Sequence, residues 1–217
     1  MVDGIQIKVC GLASLVDADF ADACGADFLG FVLHPKSPRH VSLAQYRSMA
    51  SRLPERHRVA VSVEPGKGEL RAMLDAGFDR LQVHFRHDVP LGRVEAWSAE
   101  AGPGNLWLAP KLPPGIDVAP EWLSFTDHIL LDTFDPALFG GTGRTGDWAK
   151  FRRHREANPG RTWILSGGLN PANVGEALAG TGTRFVDVSS GVESAPGVKD
   201  HARLKAFVVA VRKAGER

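Results

Sequence analysis

Short apolar segments alternate with longer amphipathic ones along the whole chain. Eight of the apolar segments are rich in Val, Ile, Leu or aromatic residues and are closed by Gly, Pro, His, Asp or Ser, a pattern typical of buried strands. These predicted strands occupy residues 5–10, 27–33, 58–63, 80–85, 106–111, 128–132, 162–166 and 184–189. The alternation indicates the α/β class.

Helix-like segments fill the intervals between the predicted strands. The first begins after Ser14, a good N-cap, and ends before Gly25, as helices commonly do. The predicted helices are 14–24, 42–52, 67–76, 91–101, 147–157, 171–179 and 199–213, and the segment around 117–125 has the poorest helical pattern. Each strand is therefore followed by a helix or by a place for one.

Eight strand–helix units suggest a closed barrel. Dividing 217 residues by eight gives about 27 per unit, close to the ~30 of a βα repeat. We therefore predict a single (β/α)8 TIM barrel over residues 1–217, near the lower end of the usual size range. The alternative is an open doubly wound sheet, which is expected to carry a G-x-G-x-x-G turn after its first strand. The segment that follows here, Cys10-Gly11-Leu12-Ala13, lacks that pattern.

Composition and charge exclude several classes of function. The chain has 26 Lys and Arg against 25 Asp and Glu, so it has no basic excess for a nucleic-acid backbone. Two cysteines form neither a disulfide framework nor a Cys-rich zinc site, and the eight histidines are scattered without metal-ligand spacing. The chain starts without a signal-peptide pattern, and no apolar run approaches the ~20 residues of a membrane span. We expect a cytoplasmic protein with no metal, nucleic-acid or membrane partner.

Glycine-rich turns follow the last two predicted strands, at Ser166-Gly167-Gly168 and Ser189-Ser190-Gly191. One such turn is most simply explained by the tight geometry of a βα connection. Two of them stand where barrels bind phosphate, and their backbone N–H groups and helix dipoles suit a dianion. This pair of turns favours a phosphorylated ligand.

Cys10 ends the first predicted strand. Strand alternation places it with Gln6 and Lys8 on the face toward the barrel interior, and places the apolar residues on the face toward the helices. A lone cysteine is more often a small buried hydrophobe, as Cys24 in the first helix is expected to be. At the catalytic rim Cys10 also suits a base, although a thiol with a pKa of ~8.5 then needs nearby positive charge. Lys8 lies on the same face of the strand, and its positive charge would favour the thiolate.

Three further polar residues stand at strand ends or in the loops after them. Asp132 is either a cap for the following loop or a catalytic acid or base. Arg39 belongs either to a solvated basic loop or to a clamp for a substrate carboxylate. His84 is either a structural hydrogen-bonding group or a site residue.

Taken together, these segments resemble the phosphoribosylanthranilate isomerase family. The matching motifs run in the family's order over nearly the whole chain: KVCGL (8–12), GADFLGFVLHPKSPRHVS (25–42), LQVH (81–84), LLDT (130–133), GGTGRTGDW (140–148), LSGGLNPANV (165–174) and VDVSSGVESAPGVKD (186–200). The resemblance implies an enzyme of tryptophan biosynthesis that needs no cofactor. Its reaction is the Amadori rearrangement of N-(5-phosphoribosyl)anthranilate to 1-(2-carboxyphenylamino)-1-deoxyribulose 5-phosphate, by general acid–base catalysis.

The resemblance also implies roles for single residues. Cys10 would be the general base and Asp132 the general acid, while Arg39 would hold the anthranilate carboxylate. The remaining substrate-binding residues are His84, Asp187 for a sugar hydroxyl, and the phosphate-binding Gly167, Gly168, Ser190 and Gly191. We expect a small phosphorylated sugar as the partner, and a monomer or homodimer as the assembly.

Some positions depart from the family pattern. Phe85 follows His84 where the family usually has glycine, so its ring either narrows the anthranilate pocket or swings out to cover helix 4. Ser62-Val63-Glu64 and the segment LAPKLPPG (108–115) are also atypical. These departures affect the expected fit of the substrate and leave the acid–base residues in place.

Two other functions compete with this hypothesis. The isomerase of histidine biosynthesis performs the same rearrangement on a bisphosphorylated substrate, but it uses two aspartates, whereas the first strand here ends in Cys10. A barrel that only binds a sugar phosphate is the second rival, and such a protein has no need of the pair formed by Cys10 and Asp132. Turnover assays separate the three.

Overall fold

Eight parallel strands close into a barrel in the computed structural model, which describes residues 1–133 and 146–216. Neighbours in sequence pair with one another, and the eighth strand pairs with the first. The strands are β1 (Gln6–Cys10), β2 (Phe28–Val32), β3 (His57–Val63), β4 (Arg80–Arg86), β5 (Leu106–Lys111), β6 (His128–Leu131), β7 (Thr162–Leu165) and β8 (Phe185–Val188). The prediction of a (β/α)8 barrel is confirmed, and the open doubly wound sheet is excluded.

Among the described residues, seven α-helices connect the strands or follow them. They are α1 (Leu15–Cys24), α2 (Leu43–Met49), α3 (Glu69–Asp75), α4 (Leu91–Ala101), α5 (Trp148–Ala157), α6 (Val174–Thr181) and α7 (His201–Gly215). Ser14 caps α1 as predicted, because its hydroxyl accepts a hydrogen bond from the N–H of Asp17. Within the described ranges, no helix is long and apolar enough to cross a membrane.

Two connections differ from the prediction. The segment around 117–125 forms only a short 3₁₀ helix, Pro120–Ser124, because prolines at 113, 114 and 120 remove backbone donors from this connection. After β8 the chain forms a 3₁₀ turn, Ser190–Val192, and then a hairpin of β9 (Glu193–Ala195) and β10 (Val198–Lys199). The sequence pattern did not predict this hairpin, whose strands are too short to show a period.

The buried side chains form two layers separated by the barrel wall. On β1, Ile7 and Val9 belong to the layer between strands and helices, whereas Cys10 belongs to the layer inside the barrel. The predicted alternation of β1 is therefore confirmed. The interior layer contains Cys10, Phe28, Val59, Val61, Trp107, Ala109, Leu130, Ile164 and Phe185. Burial of each large apolar side chain contributes roughly 1.5–3 kcal/mol.

Aromatic rings fill the amino-terminal half of the barrel interior. Phe28 packs on Phe185 with ring centroids 5.0 Å apart and on Trp107 at 5.1 Å. Because these rings occupy the space below, the polar side chains that point inward collect at the carboxyl ends of the strands.

Phe85 points away from the barrel interior. Its ring is fully buried and lies 5.6 Å from Trp97 of α4 and 5.1 Å from Trp122. The alternation of β4 explains this direction, because His84 points inward and its neighbour must point outward. Phe85 therefore packs against α4 and does not narrow the anthranilate pocket.

Candidate active site

A cavity opens at the carboxyl ends of the strands. Five predicted site residues line it: Cys10, Arg39, His84, Asp132 and Asp187. Ser166 and Ser189 of the two glycine-rich turns also line it, together with His34, Ser37 and Gln82, which the sequence pattern did not single out. Gln82 lies two residues before His84 on β4, so strand alternation directs both side chains toward the barrel interior and could have identified Gln82. In the GGTGRTGDW motif only residues 146–148 belong to the described part of the chain.

A buried ion pair lies beneath Cys10. Lys8 donates from Nζ to Oδ1 of Asp187 over 2.9 Å, and both side chains are almost without solvent exposure. Burial opposes the charge of Lys8, but the negative charges of Asp187 and Cys10 outweigh it and raise its pKa. Asp187 also accepts a 3.5 Å hydrogen bond from Ser166. A fixed cation therefore stands in the barrel interior next to the thiol.

The Cys10 thiol is buried, and burial raises its pKa above the ordinary value. Lys8 lowers that pKa, as expected, but its effect is smaller than that of burial. Gly30 on β2 makes room for both groups, because a Cβ there would lie 3.0 Å from Cε of Lys8 and 3.1 Å from Sγ of Cys10. Cys10 is therefore protonated at neutral pH and is a strong base once ionised.

Asp132 follows directly after β6. Burial, assisted by the negative charge of Asp187, raises its pKa to about 7. The backbone N–H of Thr133 donates to Oδ1 of Asp132 over 2.7 Å and opposes that rise. The loop after Thr133 lies outside the described residues, so the capping alternative stays a prediction, whereas the carboxyl group of Asp132 holds a proton up to neutral pH. A carboxyl group with that pKa suits a general acid.

Arg39 is half-buried and is paired with an acidic residue of the β9–β10 hairpin. Its Nε donates to Oε1 of Glu193 over 2.8 Å and its Nη2 to Oε2 over 2.7 Å. The side chain is 11% exposed and lies over Gly11, where a Cβ would approach Cδ of Arg39 to 2.5 Å. The alternative of a solvated basic loop is therefore wrong for Arg39.

His84 is a buried hydrogen-bonding group inside the cavity. Its Nε2 lies 2.8 Å from the side-chain amide of Gln82, within hydrogen-bond distance. Burial, with the positive charges of Lys8 and His34, lowers the pKa of His84 to about 3. His84 is therefore neutral near pH 7 and is a hydrogen-bonding group that lines the cavity.

The two glycine-rich turns touch each other. Gly167 and Gly168 have φ angles of +92° and +63°, which favour glycine. Any Cβ on Gly191 would overlap the carbonyl oxygen of Leu169, so the turn after β8 packs on the turn after β7. The carbonyl oxygen of Gly168 accepts hydrogen bonds from the side chains of Asn170 and Asn173, which fix the turn.

The conformation of the turns leaves backbone donors for a ligand. Within the described ranges, the N–H groups of Gly168, Ser190 and Gly191 have no protein acceptor. Grouped backbone N–H donors beside the start of a helix suit a phosphate. In the same part of the chain, no group of three His, Cys, Asp or Glu side chains is placed to hold a metal ion.

Comparisons with known proteins agree with this geometry. A family model described as N-(5'-phosphoribosyl)anthranilate (PRA) isomerase matches residues 7–210. An N-(5'-phosphoribosyl)anthranilate isomerase from Cellvibrio japonicus is 38% identical over 208 residues, which cover 94% of this chain and 92% of that protein. The crystal structure of phosphoribosyl anthranilate isomerase from Thermus thermophilus is similar with a TM-score of 0.78 and 32% identity, over 96% of this chain and 99% of that one.

A further solved structure shows a similar protein with a ligand. It is a phosphoribosyl anthranilate isomerase in complex with reduced 1-(o-carboxyphenylamino)-1-deoxyribulose 5-phosphate. Its TM-score is 0.73 and its identity 32%, over 96% of this chain and 99% of that one.

Proposed function

The chain belongs to the phosphoribosylanthranilate isomerase family and is an isomerase of tryptophan biosynthesis, and we propose that Cys10 is its general base and Asp132 its general acid. The observation that carries this proposal is the strand order. β6, which leads to Asp132, is followed around the barrel by β7, β8 and β1, which ends in Cys10. A sugar anchored by its phosphate at the turns after β7 and β8 therefore lies between the two groups.

The reaction needs two proton transfers in opposite directions. Asp132 donates a proton to the furanose ring oxygen, and the bond from that oxygen to C1′ breaks to leave a protonated Schiff base. The Cys10 thiolate then removes the proton from C2′, and the electron pair forms the C1′–C2′ double bond of an enolamine. Tautomerisation moves the proton of the C2′ hydroxyl to C1′ and gives the ketone. Each positioned proton transfer contributes typically ~10²–10⁴-fold.

The surroundings of the two groups suit these roles. Burial raises the pKa of Asp132 to about 7, which supplies a proton near neutral pH. Burial also raises the pKa of Cys10, which makes its thiolate a stronger base. The positive charge of Lys8 lowers that pKa in part, so the thiolate forms more readily than burial alone would allow. The neutral imidazole of His84 provides a hydrogen-bonding group beside the reacting carbons without competing for their protons.

The rest of the site binds the substrate. The turns that contain Gly167, Gly168, Ser190 and Gly191 hold the phosphate through backbone N–H groups. Arg39 holds the anthranilate carboxylate, and Asp187 orients a sugar hydroxyl while it remains paired with Lys8.

A substrate comparison tests the proposal. Purified protein is given phosphoribosylanthranilate, and the loss of anthranilate fluorescence is followed; the bisphosphorylated aminoimidazole substrate of the histidine pathway is assayed in parallel. We expect turnover of the first and little of the second, because one pair of phosphate-type turns is present among the described residues. Preferred turnover of the second substrate would indicate the isomerase activity of the histidine pathway. Turnover of neither substrate would indicate a protein that binds a sugar phosphate without converting it.

We also propose that the enzyme works in the cytoplasm, where precursors of amino acids are made, as a monomer or homodimer. Light scattering on the purified chain decides between the two assemblies. A larger oligomer would contradict this part of the proposal.

A further inference from the structure

The acidic partner of Arg39 occupies one particular edge of the guanidinium group. Glu193 accepts hydrogen bonds from Nε and Nη2, which is the side-on arrangement. A guanidinium group has a second bidentate edge, formed by Nη1 and Nη2. Because Arg39 lines the cavity that contains Cys10 and Asp132, this end-on edge is the one left for a carboxylate in that cavity.

A second cation shares the same carboxylate. Lys199 donates from Nζ to Oε1 of Glu193 over 2.8 Å and to the carbonyl oxygen of Ser189 over 3.3 Å. The side chains of Lys199 and Glu193 are 0% and 3% exposed. Two cations therefore hold the carboxylate of Glu193, which fixes its position and orientation beside Arg39.

The hairpin that carries these residues is fixed against the loop that carries Arg39. At Gly197, in the turn between β9 and β10, φ is +82° and a Cβ would lie 2.8 Å from the carbonyl oxygen of Pro38. Gly11 leaves room for the aliphatic part of the Arg39 side chain, because a Cβ there would lie 2.5 Å from Cδ of Arg39. The guanidinium group is therefore fixed by its two hydrogen bonds to the hairpin, so it loses little side-chain entropy when a ligand binds.

We propose that Glu193, together with Lys199, is a positioning residue that turns the end-on edge of Arg39 toward the carboxylate of the substrate. This inference rests on the proposed function, in which Arg39 binds that carboxylate. It adds a reason for selectivity: the site prefers a substrate whose aromatic ring carries an acid group, because a carboxylate can accept two hydrogen bonds from the end-on edge that Glu193 holds in place.

Two ligands that differ only in the carboxylate test the inference. The first probe is reduced 1-(o-carboxyphenylamino)-1-deoxyribulose 5-phosphate, and the second is the same compound with a plain phenyl ring. The ratio of their inhibition constants measures the preference for the carboxylate. General damage to the fold weakens both probes, because both contain the phosphate, and therefore leaves the ratio unchanged.

The variant Glu193→Gln removes the charge and keeps the size of the side chain. We expect it to lower the preference about tenfold, equal to ~1.4 kcal/mol, to raise KM by a similar factor and to leave kcat within about threefold. Glu193→Asp, which is too short for the bidentate contact, is expected to lower the preference as well and serves if the first variant does not fold. Glu176→Gln, an exposed site on α6, is the matched control and is expected to keep the preference.

The outcomes separate this inference from the proposal on which it depends. Loss of preference in Arg39→Ala but not in the folded Glu193 variants would overturn the positioning role and keep the Arg39 clamp. Unchanged preference in Arg39→Ala would overturn the clamp itself. Loss of preference in both Arg39→Ala and Glu193→Gln, with the control unchanged, supports the inference.

Discussion

The order in which Asp132 and Cys10 titrate has a consequence for the pH dependence of the enzyme. Asp132 acts as an acid only while protonated, and its pKa is raised to about 7. Cys10 acts as a base only when ionised, and burial raises its pKa above the ordinary value. Because the acid titrates at lower pH than the base, the productive form with protonated Asp132 and ionised Cys10 is always the minor one.

The size of this effect follows from the difference between the two pKa values. Even an ordinary thiol, with a pKa of ~8.5, against an acid of about 7 would leave at most roughly 2% of the enzyme in the productive form. We expect kcat/KM to rise up to pH near 7, to stay level until Cys10 titrates, and to fall above that pH. The substrate phosphate, with a second pKa near ~6, steepens the acid limb and leaves the plateau unchanged.

Alkylation measures the thiol directly. Cys24→Ser leaves Cys10 as the one cysteine of the chain, and the rate of its reaction with iodoacetamide is followed from pH 6 to pH 10. We expect the rate to rise about tenfold per pH unit past pH 8.5, because only the thiolate reacts. A product analogue is expected to slow the reaction, and Cys10→Ser, which retains Cys24, gives the background rate.

Two results would refute this reasoning. An alkylation rate that levels off below pH 7 would mean that the nearby lysines outweigh burial and that the thiolate is the resting form. A value of kcat/KM that falls steadily between pH 7 and pH 8 would mean that the base does not titrate above the acid.

Three further substitutions test single features of the structure. Gly30→Ala places a methyl group 3.0 Å from Lys8 and 3.1 Å from Cys10, so kcat is expected to fall about tenfold while thermal unfolding shows a native-like fold; unchanged kcat would mean that the two groups yield freely. Gly168→Val puts a β-branched residue at a φ of +63°, and we expect a strongly raised KM and weaker inhibition by inorganic phosphate; unaltered values would remove the turn from the phosphate site. Phe85→Ala deletes a fully buried ring and is expected to lower the free energy of unfolding by about 3–5 kcal/mol, as measured in urea, with kcat preserved per folded molecule; loss of kcat would place the ring in the pocket.

Much of the barrel could be predicted from the sequence because strand alternation is a local property. The apolar and polar positions of β1 alone direct Cys10 toward the interior, and the structure has that direction. The same rule decides the direction of Phe85 once His84 is known to face inward. The short 3₁₀ helix before β6 was less predictable, because its turns follow from the positions of prolines and not from a helical period.

The contacts that shape the site depend on residues far apart in the chain. Arg39 and Glu193 are 154 positions apart, and no local pattern joins a loop after β2 to a hairpin after β8. The importance of Gly30 is likewise invisible locally, because it comes from the side chains of Lys8 and Cys10 on the neighbouring strand. The sequence could name the side chains of the site, whereas their partners and their pKa values require the fold.

The most direct test of the central claim is the turnover number of Cys10→Ala and Asp132→Asn, measured with phosphoribosylanthranilate beside Cys24→Ser. Each of the first two variants is expected to lose ~10²–10⁴-fold in kcat with KM roughly unchanged, because each removes one proton transfer and no ground-state contact. Cys10→Ser is expected to be almost as damaging, since a hydroxyl is a poor base at neutral pH, and Cys24→Ser should keep its activity per folded molecule. Near-parental kcat in Cys10→Ala or in Asp132→Asn would contradict the acid–base pair.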